Sequence, residues 1–278
     1  SVVYLTREFV KMGHKVNVYG SIPEPKVGHG VNYFLSDQFL HSGDRDIFIL
    51  HRTPAPEEIR KRIEADVRIF FSCDQYTTGR WSADIYPFVD KIFTISKYHR
   101  DYLWLYQNAR KDSMYITDLG ITVSDYPMTE KVKGKMIFCS VPERGLEYAL
   151  DFFKDVKARI PHATLVVTSD HRLWGVPYTG VSDLLMHVAK NADGVTYLGK
   201  IPRSELIQHQ LSSEIMFYPC VYDENFCISA AECQMAGAIP VTTNIGALGT
   251  TVQDHHTGIV LDLLPHDTGY RRRFVEEV

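Results

Sequence analysis

Short apolar runs of strand length alternate with longer runs of helix length along almost the whole of this 278-residue chain. Strand-then-helix repetition predicts parallel strands covered by helices on both faces. In the first half, strands are expected at 15–19, 46–51, 68–73, 91–95 and 114–117, with helices at 56–65 and 97–106. The pattern restarts with strands at 135–141, 163–168 and 195–198 and helices at 145–159, 183–190 and 203–210. Between the halves, 123–134 is polar and aperiodic, the composition of an interdomain linker. The chain is therefore expected to be an α/β protein with two doubly wound parallel-sheet domains facing a cleft, residues 1–128 and 129–278. Ligands of such sheets sit outside the carboxyl ends of the strands.

Composition narrows the function classes. At 45% hydrophobic and 23% charged residues the chain fits a globular protein with a sizeable core. A net charge of −4 gives no basic excess, so no nucleic-acid partner is expected. Five cysteines, Cys73, Cys139, Cys220, Cys227 and Cys233, lie in apolar surroundings without Cys-x-x-Cys pairing. They read as buried free thiols of a reducing compartment, which points to the cytoplasm. No apolar run is long enough to span a membrane, which leaves peripheral membrane contact open. Residues 1–12 already form an amphipathic helix stopped at Gly13, so the chain is expected to begin inside a domain.

The densest chemistry lies in the stretch from Tyr222 to Glu232. Residues 214–219 read as a short buried strand, and a helix is expected from Phe226 until Gly237 stops it, with Pro240 opening the next strand. The backbone amides of Asn225, Phe226, Cys227 and Ile228 would then point out of the helix start, where the macrodipole favours an anion such as a diphosphate. Glu224, just before the first turn, suits sugar hydroxyls, and Glu232, two turns deeper, suits the two hydroxyls of a ribose. The competing reading makes Glu224 a helix cap and Glu232 a solvent-facing acid. The helix is otherwise almost wholly apolar or small, so Glu232 is expected to be buried and to need a partner.

The segment from Phe217 to Gly258 resembles the donor-site signature of the retaining glycosyltransferases of family 4, which have the GT-B fold of two Rossmann-like domains. Glu224 and Glu232 match its two acids. Ala236-Gly237-Ala238-Ile239-Pro240-Val241 and Asp254-His255-His256-Thr257-Gly258-Ile259-Val260 are similar to the segments that follow, although Thr250 stands where relatives often have glutamate. The resemblance implies that 1–128 is the acceptor-side domain, lacking a first strand, and that 129–278 is the nucleotide-sugar domain, incomplete at its end.

Further roles follow from the resemblance. Ser140-Val141-Pro142-Glu143-Arg144-Gly145 matches a turn whose basic residue, here Arg144, neutralises the donor diphosphate with Gly145 beside it. A second basic residue common in that family is replaced by Cys139-Ser140. Backbone groups of the loop holding Lys200 and Ile201 correspond to those that hold the nucleotide base; ordinary loop punctuation explains Gly199 and Pro202 equally well. Cys73 stands near the place of a sugar-binding histidine, so either His51 substitutes for it or Asp74 acts alone on acceptor or sugar. Ser96-Lys97-Tyr98-His99 matches a strand-to-helix turn and reads as a helix cap. Asp118-Leu119-Gly120-Ile121 corresponds to a turn before the linker, from which Asp118 and Thr122 depart.

Asp44-Arg45-Asp46 spells a metal-chelating Asp-x-Asp, but it precedes a strand far from the two acids, and the resembled family needs no metal or other cofactor. The implied activity is metal-independent hexosyl transfer from a UDP- or GDP-hexose to an unidentified acceptor, whether glycan, lipid or other. A GT-B nucleotide-sugar epimerase or hydrolase, or a non-catalytic nucleotide-sugar-binding protein, would carry the same signature.

Overall fold

A computed structural model describes residues 2–52, 63–77, 79–174 and 180–278. The chain divides into two compact units. One comprises Ser1–Ile95 with Arg100–Leu119, the other Ser96–His99 with Gly120–Val278. The division falls ahead of the expected boundary at 128/129, because much of the polar stretch packs on the second unit. Tyr126 is buried against Ile207 and Leu211, and Lys131 Nζ donates to the Ala236 carbonyl at 2.6 Å.

The first unit opens with α1 (Val2–Lys11) and β1 (Val16–Gly20). Next come β2 (Lys26–Gly28) and β3 (Val31–Leu35), in a three-stranded sheet ordered β1-β3-β2. Here the all-parallel expectation fails, since β3 runs parallel to β1 but antiparallel to β2. His29 and Gly30 both take positive φ, 52° and 77°, the two-residue turn whose twist suits a hairpin. A second, wholly parallel sheet is ordered β4-β5-β6-β7, comprising Ile47–His51, Val67–Phe71, Lys91–Thr94 and Met114–Ile116. Phe70, Trp81, Ile85, Ile92 and Leu103 form its core. The helix α2 (Lys97–Gln107), whose residues up to His99 group with the second unit, is capped as expected, the His99 amide donating to Ser96 Oγ at 2.9 Å. The helix expected at 56–65 lies largely outside the described residues.

The second unit alternates regularly: β8 (Lys135–Phe138), α3 (Leu146–Arg159), β9 (Thr164–Val167), α4 (Gly180–Asn191), β10 (Val195–Tyr197), α5 (Arg203–Ser212), β11 (Ile215–Tyr218), α6 (Ile228–Met235), β12 (Ile239–Thr243), α7 (Leu248–Thr251), β13 (Ile259–Leu261) and α8 (Tyr270–Glu277). All its strand pairs are parallel, in the order β10-β9-β8-β11-β12-β13. Counted within the unit this is 3-2-1-4-5-6, the dinucleotide-binding order of a doubly wound sheet. Helices on both faces explain why its central strands read as continuous apolar runs, with Ile137, Phe138, Phe217 and Tyr218 fully buried. Phe217 meets Phe274 of α8 edge-on at 4.9 Å and Phe153 of α3 at 6.2 Å. Each such side chain contributes roughly 1.5–3 kcal/mol by burial. Strand order reverses between β8 and β11, and this topology opens a crevice at their carboxyl ends.

Candidate functional site

Two loops flank that crevice, one after β8 and one after β11. Gly145 opens α3 with φ 120°, and a Cβ there would lie 2.2 Å from the Pro219 carbonyl oxygen. Only glycine lets the two loops pass so closely. Arg144 thereby reaches Glu224: its Nη1 donates to Oε1 at 2.7 Å and to Oε2 at 2.9 Å, while its guanidinium lies 4.5 Å from the centre of the Tyr222 ring. Tyr218, the last residue of β11, donates its hydroxyl to Glu224 Oε1 at 2.7 Å and lies 3.2 Å from Ser140 Oγ. Burial holds the Tyr218 phenol well above its ordinary pKa, so it remains a donor. Glu224 is only 4% exposed. Its carbonyl accepts the Ala247 amide at 2.7 Å, and the turn at Gly246 packs directly against its backbone.

Two expectations about this segment need correction. Glu224 is neither a cap nor the residue adjoining the first helical turn, because α6 begins at Ile228, two residues later than expected. Cys227 occupies the N-cap with φ 65°, a left-handed conformation that interrupts any helical path from Phe226. Of the amides assigned to the helix start, that of Ile228 lies in the first turn and those of Asn225, Phe226 and Cys227 precede it. Ser229 supplies the next first-turn amide.

Glu232 is buried, as the apolar character of its helix requires. Its Oε1 accepts from Arg203 Nη1 at 2.8 Å and its Oε2 from Gln210 Nε2 at 3.2 Å. The Tyr126 hydroxyl donates to Gln210 Oε1 at 3.2 Å and lies 3.5 Å from Arg203 Nη2. The solvent-facing reading of Glu232 is thus excluded. Lys200 and Ile201 sit in the loop between β10 and α5, immediately before Arg203. The sequence reading passed over Tyr218, Arg203, Gln210 and Tyr126. For Arg203 a signal existed, since a cation opening the helix after the 199–202 loop was at hand for the buried acid.

In the first unit, His51 and Asp74 lie at the carboxyl ends of the neighbouring strands β4 and β5. The His51 ring stacks on Phe71 at 5.4 Å, and its Nε2 is 3.7 Å from Cys73 Sγ. Burial lowers the His51 pKa to about 4 and raises the Cys73 thiol to about 12, so at neutral pH both are uncharged. Asp74 is engaged by Arg52, with Nη2 to Oδ1 at 3.0 Å and Nε to Oδ2 at 3.3 Å. Cys73 is half-buried, departing from the expected burial of all five thiols, whereas the other four are buried. All five are free. At Asp44-Arg45-Asp46 the guanidinium binds the carbonyls of Leu40, His41, Ser42 and Glu64, a loop-bracing role. Among the described residues, no helix is long and apolar enough to cross a membrane.

Residues 133–263 match the family model of glycosyl transferases group 1. The matched region contains Arg144, Gly145, Tyr218, Arg203, Glu224 and Glu232; His51 and Asp74 lie outside it. Over 128 residues, 44% of this chain, the sequence is 28% identical to a GDP-mannose-dependent alpha-(1-6)-phosphatidylinositol monomannoside mannosyltransferase of Mycobacterium tuberculosis. The match spans 32% of that relative, about a third of its length. Sucrose-phosphate synthase from Thermosynechococcus elongatus superposes with a TM-score of 0.69 at 12% identity, covering 99% of this chain and 82% of that one. A glycosyltransferase from Rickettsia africae gives 0.67 at 12% identity, covering 94% and 79%. An Anabaena protein in complex with UDP-glucose gives 0.60 at 12% identity, covering 76% and 62%. The likeness establishes the fold, an α/β chain of two Rossmann-like domains of the GT-B class.

Proposed function

We propose that the chain is the core of a retaining hexosyltransferase of family 4, which moves a hexose from a nucleoside-diphosphate sugar to an acceptor without a metal or other cofactor. The observation carrying this reading is the Arg144–Glu224 pair at the strand-order reversal, inside the region matched by the glycosyl transferases group 1 model. A cation and an acid meet where a doubly wound sheet receives its ligand.

In this reading the donor diphosphate draws the Arg144 guanidinium and the first-turn amides of Ile228 and Ser229, with the loop amides of Asn225, Phe226 and Cys227 alongside. Gly145 lets that turn approach. Glu224, released by Arg144, accepts hydroxyls of the hexose. Glu232 takes the ribose hydroxyls, and the loop of Lys200 and Ile201 borders the base. In the reaction, the bond between the anomeric carbon and the diphosphate oxygen breaks with its electron pair going to the oxygen. Arg144 and the α6 N-terminus meet the charge growing there, and an interaction of this kind is commonly worth about 10²–10³ in rate. The acceptor hydroxyl adds from the face the diphosphate leaves, which retains the anomeric configuration, and its proton passes to the departing phosphate. For the first unit two alternatives stand: His51 takes the place of the sugar-binding histidine of the resembled family, or Asp74 acts alone on acceptor or sugar.

The donor is a GDP- or UDP-hexose. GDP-mannose is the first to test, because the relative in Mycobacterium tuberculosis carries it in its name. Five free thiols support a reducing, cytoplasmic setting. The test is turnover of the donor with and without candidate glycan and lipid acceptors, reading the new linkage by NMR. Acceptor-dependent product with the donor's anomeric configuration is expected. Turnover without an acceptor would point to an epimerase or hydrolase, and an inverted linkage would reject the retaining mechanism.

A further inference from the structure

The two oxygens of Glu224 are held differently. Oε2 accepts only from Arg144, at 2.9 Å, among the described residues, whereas Oε1 accepts from both Arg144 and the Tyr218 hydroxyl, each at 2.7 Å. The phenol and the guanidinium are not equivalent donors. Arg144 rides on a turn outside the sheet and is partly exposed, so a diphosphate can draw it away. Tyr218 terminates a central strand, is fully buried, and has its ring packed edge-on to Phe138 at 5.7 Å.

Hydrogen-bond direction is set along the chain of groups. An ionised carboxylate accepts and cannot donate, so the Tyr218 proton points to Glu224. The Ser140 hydroxyl, 3.2 Å from the phenol oxygen, then donates to Tyr218. Ser140 occupies one of the two positions of Cys139-Ser140, where the resembled family often carries a second basic residue.

We propose that Tyr218, backed by Ser140, is a positioning residue for the sugar-binding carboxylate: it fixes Oε1 of Glu224 while Arg144 is handed to the diphosphate, leaving Oε2 to meet the hexose. This rests on the donor-site reading above. Without such an anchor, a buried carboxylate that surrenders its cation would swing or rebind it, and the hexose would lose its contact. The assignment separates two halves of one ligand. Tyr218 matters for the hexose and not for the diphosphate.

Calorimetric titration of the wild-type chain and Tyr218→Phe with GDP, GDP-mannose, UDP and UDP-glucose tests this. Tyr218→Phe keeps the ring and removes one oxygen. Affinity for the matching nucleoside diphosphate is expected to stay within about twofold, while affinity for its sugar conjugate falls about tenfold, as for loss of a hydrogen bond to a charged group. Ser140→Ala is expected to lose two- to threefold in the same direction, and it carries the test if Tyr218→Phe fails to fold. Wild-type affinity for the sugar conjugate in both variants, or equal loss for diphosphate and conjugate, would overturn the positioning role. If the wild-type chain binds neither kind of ligand, the donor-site reading itself fails.

Discussion

Arg144 and Glu224 are 80 positions apart, yet Arg144 Nη1 lies 2.7 Å and 2.9 Å from the two carboxylate oxygens of Glu224. They sit on the two loops that flank the strand-order reversal between β8 and β11. The group proposed to bind phosphate and the group proposed to bind sugar therefore neutralise each other before any ligand arrives. A donor that inserts between them exchanges one charge-assisted contact for two.

That pairing predicts unequal, coupled losses of stability. Arg144→Ala strands a buried carboxylate with Tyr218 as its remaining side-chain donor, at a cost of about 2–3 kcal/mol. Glu224→Ala is expected to cost less, because Arg144 keeps its place over Tyr222 and its access to water. The double variant should lose about 1–2 kcal/mol less than the sum of the two. Urea unfolding of the four proteins checks this; strictly additive losses would mean that the pair does not interact.

Gly145 gives a prediction from backbone geometry. Gly145→Ala sets a methyl 2.2 Å from the Pro219 carbonyl oxygen at φ 120°, so the turn must shift, with a loss of about 2 kcal/mol or more. Gly13→Ala is the control: φ is 93° there, but no atom lies within 4 Å, so strain alone acts and the loss is about 1 kcal/mol. Thermal unfolding of the two variants should separate them in that order.

The central strands of the second unit were legible because a parallel sheet covered on both faces leaves continuous apolar runs. Strand β8 ends at Phe138, three residues early, as Cys139 to Val141 leave the sheet for the turn that carries Arg144. The late start of α6 was not legible, since nothing in a cysteine signals the left-handed φ of Cys227. The β2–β3 hairpin carried a readable sign in His29-Gly30, overlooked because its strands are so short. Both acids were legible as functional candidates. Their cations, Arg144 and Arg203, lie 80 and 29 positions away, and which pairs with which depends on strand order and helix packing, which hydrophobic periodicity does not encode.

His51 predicts a pH dependence in the first unit. Burial, the largest cause, lowers its pKa from 6.5 to about 4, so between those values the unfolded chain holds a proton that the folded chain does not. Stability from this group is complete above about pH 6.5 and is lost as pH falls toward 4, by roughly 2 kcal/mol once partial solvent access is discounted. In His51→Gln this component disappears, and unfolding free energies at pH 7 and pH 4.5 should differ less than in wild type. An unchanged difference would contradict the half-buried, neutral imidazole.

The central claim is that the β8–β11 crevice binds a nucleoside-diphosphate sugar, and calorimetric titration of this chain with UDP, GDP, ADP and their hexose conjugates tests it most directly. The account predicts tight binding of one nucleotide class, weakened tenfold or more by Arg144→Ala and by Glu232→Ala. Folded wild-type protein that binds none of them, or binding that both substitutions leave intact, would contradict it.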